Sequence, residues 1–276
     1  MKLVTRDQLS YLNCHYYKYS LDYFLDTMEM LGVPNVELVA GHQGVWLDHN
    51  GYCDVQELKR KLIDRHLSSR ILTPQNCITM YQFAAPGKEL YDLSYRYFSN
   101  GLRMAAELGC ELLEVNSGWG YWTENPKDSQ NRCIEMFSKL CILARELGIT
   151  MVIESLRPQE SLHGDTIEKI KTIYDSVNSE QFKVMIDLTA MSVAGESIQQ
   201  WFDTFGSNIL HVHFQDRAPL GHLIWGDGNE SLEADLRALK ENGYTGLISA
   251  EITDDRYSTN PRYYDTINVR NICRYL

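Results

Sequence analysis

The stretch TMVIESLRPQESLHGDTIEKIKTIYDSVNSEQFKVMIDL (150–188) decides the fold. Two short apolar runs, TMVIES (150–155) and FKVMIDL (182–188), flank a helical segment from Thr166 to Val177. Apolar runs of this length read as strands buried on both faces, the pattern of a parallel sheet. The unit repeats upstream. Lys88 to Leu108 reads as a helix closed by Gly109, CELLEVNS (110–117) as a strand, and Asp128 to Leu147 as a helix closed by Gly148. It also repeats downstream, through a helix from Glu196 to Phe205, the strand NILHVHF (208–214), a helix from Ser231 to Asn242 closed by Gly243, the strand GLISAEI (246–252) and a last helix from Pro261 to Leu276. A glycine just past the last helical turn is a C-cap signal. The first third is less regular: LSYLN (9–13) and RILTPQN (70–76) are weaker strands, NVELVA (35–40) is a clear one, and helices fall at Leu21 to Leu31 and Val55 to His66. Eight strand–helix pairs without a linker predict an α/β chain forming one closed (β/α)₈ TIM barrel over residues 1–276. An open doubly wound sheet is the alternative. It has fewer strands and a Gly-rich first turn, and neither GxGxxG nor GxxxxGK[ST] occurs.

Composition narrows the function. Of 276 residues, 44% are hydrophobic and 23% charged, which excludes a disordered chain, a fibrous rod and a disulfide miniprotein. The net charge of −11, with no Lys/Arg run, argues against nucleic acid as a partner. Seven scattered cysteines with no CxxC pair read as free thiols of a reducing cytoplasm. The opening MKLVTRDQLSYLN has no apolar signal core, and no run of 18 apolar residues follows. The expectation is a soluble cytoplasmic protein without a membrane partner. A homo-oligomer is compatible with the sequence.

Side chains alternate along a strand, so one set looks into the barrel. In TMVIES, Val152 and Glu154 face in, and Met151 and Ile153 meet the helices. In FKVMIDL, Met185 and Asp187 face in, with Val184, Ile186 and Leu188 out. In NILHVHF, His211 and His213 face in, with Leu210, Val212 and Phe214 out. In GLISAEI, Ser249 and Glu251 face in. Four consecutive strands thus each end on a charged or imidazole group at the C-terminal rim, where barrel active sites lie. Three carboxylates in one apolar mouth repel unless a cation neutralises them. Glu154, Asp187, His213 and Glu251 are therefore the predicted ligands of one divalent ion. The oxygen-plus-imidazole set suits Mn²⁺, Mg²⁺, Co²⁺ or Zn²⁺, with Mn²⁺ the first expectation. A lone acid at a strand end is most often a helix N-cap or a satisfied pair, but four on adjacent strands favour a metal.

Further candidates are substrate groups. Arg157 and Glu160 follow Glu154, with a surface ion pair as the plain alternative. His211 lies one inward position below His213 and reads as a substrate group or a core histidine. Arg217 and His222 follow His213 and are placed to close over a ligand. Trp46, Trp119, Trp122 and Trp225 lie near strand ends, either to pack on a sugar ring or to cap the core. For Glu37 and Glu114 the simpler role is hydrogen bonding inside the core.

The segments LGVPNVELVAGH, MAAELGCELLEV, LARELGITMVIESLRPQES, FKVMIDLTA, ILHVHFQD, WGDGNESLEADLRALKENGYTGLISAEI and NPRYYDTINVRN resemble the xylose-isomerase-like family of sugar isomerases and epimerases, most closely its fructoselysine 3-epimerase branch. The combination E-x-x-x-P-x-E-S, I-D-x-x-A, H-x-H-x-x-D and A-E-I carries the likeness. The resemblance implies a (β/α)₈ barrel with one divalent ion on Glu154, Asp187, His213 and Glu251, and a substrate-bonding glutamate at Glu160. Ketose 3-epimerases of the tagatose/psicose type carry a histidine three residues beyond the aspartate ligand, where this chain has Ala190. That departure argues for spare room and a larger sugar derivative over a free ketohexose. Endonucleases of the same fold need extra histidines for three zinc ions. His15, His42, His49 and His66 are available, but strands three and four end in Gln75, Asn76 and Asn116, so a nuclease is not expected.

A hydrogen beside a carbonyl is weakly acidic, and a metal chelating the carbonyl oxygen and the neighbouring hydroxyl stabilises the resulting enediolate. Inverting the carbon needs a base on one face and an acid on the other, and Glu154 and Glu251 are the catalytic pair that the strand ends offer. The leading expectation is a metal-dependent 3-epimerase of a ketose or ketose derivative. Aldose–ketose isomerisation, and lyase or C-glycoside deglycosidase chemistry on a 3-oxo sugar, begin with the same proton abstraction. A catalytically dead sugar-binding barrel is the non-enzyme alternative.

Overall fold

The structure is a computed structural model that describes residues 2–41, 44–77 and 79–276; His42 lies outside the described residues. Eight parallel strands close into one barrel in the order of the chain. They are β1 (Leu9–Leu12), β2 (Asn35–Ala40), β3 (Ser68–Pro74), β4 (Leu112–Asn116), β5 (Thr150–Glu154), β6 (Phe182–Asp187), β7 (Ile209–His213) and β8 (Ile248–Ala250), and β8 pairs back onto β1. Nine helices of the described residues follow the strands: α1 (Leu21–Leu31), α2 (Val55–Ile63), α3 (Lys88–Leu108), α4 (Pro126–Leu147), α5 (Ile167–Val177), α6 (Leu188–Val193), α7 (Ile198–Phe205), α8 (Leu232–Glu241) and α9 (Pro261–Ile272). The open-sheet alternative is excluded by this closure. Among the described residues no helix is long and apolar enough to cross a membrane.

Local chemistry sets the boundaries. Ser20, Asp54, Asn125, Thr166, Ser197 and Ser231 each accept a backbone N–H at a helix start. Gly32, Gly109 and Gly148 close α1, α3 and α4 in the left-handed conformation. The expected helix to His66 stops at Ile63 because His66 itself turns left-handed, φ 56°, to lead directly into β3. The strand expected over 182–188 stops at Asp187, whose side chain caps a helix the sequence reading lacked, α6.

The apolar core lies between barrel and helices, where the Phe137 ring packs 4.7 Å from both Phe83 and Phe182. Inside the barrel the filling is layered. Ile71, Val152 and Met185 form a small apolar floor with Leu112 and Leu210 against it. Leu210 was expected to face the helices. A register irregularity between β6 and β7, where Val184 pairs with Ile209 but Met185 with His211, turns it to the floor instead. Above the floor the inward positions become polar.

Candidate active site

Asp187 and His213 are direct partners across β6 and β7, and Glu154 ends β5 beside Asn116 of β4. Glu251 follows the last residue of β8. Glu154, Asp187, His213 and Glu251 each present a ligand atom, and these atoms all lie within 4.8 Å of one another. His213 Nδ1 stands 2.6 Å from Glu154 Oε1 and 3.2 Å from Glu251 Oε2. Glu154 Oε1 and His213 Nδ1 are both buried and have no partner outside the cluster itself, an arrangement that is costly unless something else satisfies them. Three carboxylates and one neutral imidazole nitrogen fit a divalent cation of intermediate hardness.

The electrostatics express the same crowding. Burial pushes the Glu154 carboxyl up to about 8, helped by the Glu251 and Asp187 charges and opposed by His213. Burial would also raise Glu251, but the His213 and His222 imidazoles overcome it and hold this carboxyl below the usual range. Glu114, deeper in the barrel, is raised by burial and by the nearby Glu154 charge.

Beneath the cluster lies a second polar layer. Glu37, fully buried, accepts from Thr73 Oγ1 at 2.6 Å, His211 Nε2 at 2.7 Å and His213 Nε2 at 3.1 Å. An ionised carboxylate only accepts, so it places a proton on both Nε2 atoms and leaves Nδ1 as the nitrogen of His213 that faces the cluster. Glu37 thus has the core hydrogen-bonding place expected of it. Glu114 accepts from Asn76 at 3.2 Å. Asp187 is braced twice: Ala190 N–H donates to Oδ1 and Gln215 Nε2 to Oδ2, both at 2.5 Å. The aspartate is a helix cap and a member of the cluster at once.

A cavity of about 760 Å³ opens over these groups at the C-terminal end of the strands. Glu154, His213, Glu251, Arg157, Glu160 and His222 line it. Arg157 and Glu160 form a two-pronged ion pair, Nη2 to Oε1 at 2.5 Å and Nε to Oε2 at 3.0 Å, and Arg157 Nη1 also reaches the Leu220 carbonyl at 2.7 Å. The plain ion-pair alternative is thus present, yet at the cavity wall. His222 Nε2 approaches Asp187 Oδ2 at 3.3 Å and Glu251 Oε2 at 3.2 Å.

Other candidates are placed elsewhere. His211 sits below His213 and does not line the cavity, because Glu37 holds it down. Arg217 is buried and turned outward, where Nη1 donates to Asp235 Oδ2 and Nε to Ser192 Oγ, each at 2.7 Å. It clamps α6 to α8. Ala190 lies in α6, buried, and does not line the cavity. Trp225 is a core residue, its ring 4.7 Å from Phe214. Gln215, which positions Asp187, escaped the sequence reading because it lies past the strand, where alternation says nothing.

The fold and the converging acids define a barrel enzyme class, and the chain belongs to the xylose isomerase-like TIM barrel family, whose model matches residues 24–269. It is 27% identical over 163 residues to fructoselysine 3-epimerase of Escherichia coli O157:H7, a match spanning 58% of this chain and 59% of that protein. Inosose isomerase of Bacillus subtilis (strain 168) is 26% identical over 133 residues, 45% of this chain and 47% of that protein. Among solved structures, D-psicose 3-epimerase from Clostridium cellulolyticum H10 superposes with a TM-score of 0.76 at 16% identity, covering 97% of this chain and 98% of that one. The zinc-bound IOLI protein gives 0.76 at 17% identity, covering 98% and 99%. These structural likenesses concern the fold.

Proposed function

We propose that the protein is a divalent-metal-dependent epimerase that inverts C3 of a ketose or ketose derivative, with Mn²⁺ as its ion. The observation that supports this most is the convergence of Glu154 and Glu251, from strands three apart, on one imidazole nitrogen under a cavity large enough to admit a sugar. Bound at the four-ligand cluster, a divalent ion supplies Lewis-acid polarisation of a carbonyl and its neighbouring hydroxyl. Glu154 and Glu251 exchange the proton at the adjacent carbon, one from each face of the substrate. Arg157, Glu160 and His222 bind substrate hydroxyls from the cavity wall. His211 acts only through Glu37. Arg217 supports the loop that carries His222 rather than touching substrate. The sugar epimerases and isomerases among the relatives support the reaction class. The seven free cysteines support a cytoplasmic location.

The test is solvent exchange. Mn²⁺-loaded protein is incubated in D₂O with free ketohexoses, fructosamines and disaccharide ketoses, and the C3 hydrogen is followed by NMR. Deuterium at C3 together with the inverted epimer supports the proposal. Aldose formation favours an isomerase, and loss of a substituent favours a lyase. Unchanged sugars throughout would leave a binding barrel as the better account.

A further inference from the structure

Beside the main cavity lies a smaller one of about 240 Å³, and the two share Asn76, Cys77 and Glu160 as a common wall. Its far side is Trp119 and Trp122, on the loop that follows β4. Trp122 is 59% exposed. An exposed indole is ordinary on a loose loop, but this loop is tightly built. Gly118 and Gly120 both take positive φ, 68° and 62°, and a side chain on either would strike its neighbours: Ala84 N at 2.8 Å and Ser129 Cβ at 2.6 Å. The buried Gln82 Oε1 accepts from the Trp119 and Gly120 amides at 3.2 and 2.8 Å. Glu124, paired with Arg132 at 2.6 Å, accepts from the Tyr121 amide at 2.7 Å. The backbone that carries the two indoles is therefore braced beside a space that opens into the site.

We infer that Trp119 and Trp122 form a second subsite, which stacks on a ring carried as a substituent by the sugar at the four-ligand cluster. The inference rests on the proposed sugar chemistry and specifies its substrate class. Three features point to a ring. The volume corresponds to roughly eight waters, enough for one ring. Indole faces bind flat apolar ring faces in stacked or edge-on geometry. Of the six other wall residues, Asn76, Asn116, Gln159 and Glu160 supply hydrogen-bonding groups for ring hydroxyls or a linking heteroatom. A pyranose and an aromatic ring share this flat-face chemistry, so the test separates them.

Calorimetric titration of the Mn²⁺-loaded protein reads the subsite without relying on turnover. The probes are fructose, the disaccharide ketoses turanose, maltulose and isomaltulose, and 1-anilino-1-deoxyfructose. At least one ring-bearing probe is expected to bind tighter than fructose by roughly 3- to 10-fold, the scale of one aromatic contact. Trp122→Ala removes that advantage, Trp122→Phe restores most of it, and Trp46→Ala, whose indole lines neither cavity, keeps it. Gain with a disaccharide identifies a sugar ring, and gain with the anilino compound alone identifies an aromatic one. No gain with any ring-bearing probe, or a gain that survives Trp122→Ala, overturns the subsite. A Trp122-dependent gain without C3 exchange of any sugar keeps the subsite and overturns the epimerase reading, and C3 exchange without the gain does the reverse.

Discussion

Glu37 and His213 are 176 residues apart in the chain and 3.1 Å apart in the barrel, carboxylate oxygen to Nε2. The contact fixes the ring so that Nδ1 faces Glu154 and Glu251. Partners of this kind orient metal-binding histidines and typically hold 10- to 100-fold in metal affinity. Glu37→Gln is thus expected to weaken Mn²⁺ binding by roughly 10- to 100-fold, because an amide offers only one acceptor for the three donors now on the carboxylate. Calorimetric metal titration checks it, and an unchanged affinity would show that His213 needs no such partner.

Asp187→Asn and His213→Ala each remove a proposed ligand at the rim of the barrel. Metal content and activity should fall together while the circular dichroism spectrum stays native, since the apolar core lies between barrel and helices. Full metal content in both inactive variants would refute the ligand set.

Glu154→Gln and Glu251→Gln divide the two faces. An amide keeps an oxygen for the metal but cannot take the proton, so each variant should lose epimerisation by roughly 10²–10⁴-fold. One should still exchange the C3 hydrogen of one epimer in D₂O, and the other that of the opposite epimer. If one glutamate abolishes exchange from both epimers and the other from neither, a single base is at work, and isomerisation or elimination becomes the better reading.

Arg217 provides a contrast. Its truncation leaves the partly buried Asp235 carboxylate without its partner; breaking a fully buried pair costs about 3–5 kcal/mol, and this one is expected to cost less. Arg217→Ala should lower the denaturation midpoint while leaving Mn²⁺ affinity within a few-fold of wild type. A stable variant with weakened metal binding would show that the residue acts on the site.

His163 carries a pH dependence. Burial lowers its affinity for a proton, and Nε2 donates to the Ser117 carbonyl at 2.8 Å while Nδ1 faces Ser129 Oγ at 3.2 Å. The unfolded chain takes up this proton near the ordinary value of about 6.5, before the folded one does. Its contribution is present in full above that value and is lost as the pH falls through the depressed folded one. The stability difference between wild type and His163→Gln should therefore shrink on acidification from pH 7.5 to pH 5, measured by urea unfolding. A difference that stays constant or grows would contradict the neutral buried imidazole.

The period of two along a strand is a local property, and it was enough to aim Glu154, Asp187, His213 and Glu251 at one axis. Helix stops at Gly109 and Gly148 were legible for the same reason, since a left-handed residue needs no partner elsewhere in the chain. Leu210 broke the rule because a register shift between two strands is settled by their pairing. Asp187 was readable as a strand-end acid, yet its capping of α6 depended on where Ala190 and Gln215 could follow. Arg217 looked like a site residue by position and became a clamp once α6 and α8 offered Ser192 and Asp235. The sequence alone determined which residues face the barrel axis, because alternation is written in consecutive residues. Only the closed barrel decided which of them meet, because the contact of Glu37 with His213 and the convergence of Glu154 and Glu251 on its Nδ1 join distant strands whose distances exist only when β8 returns to β1.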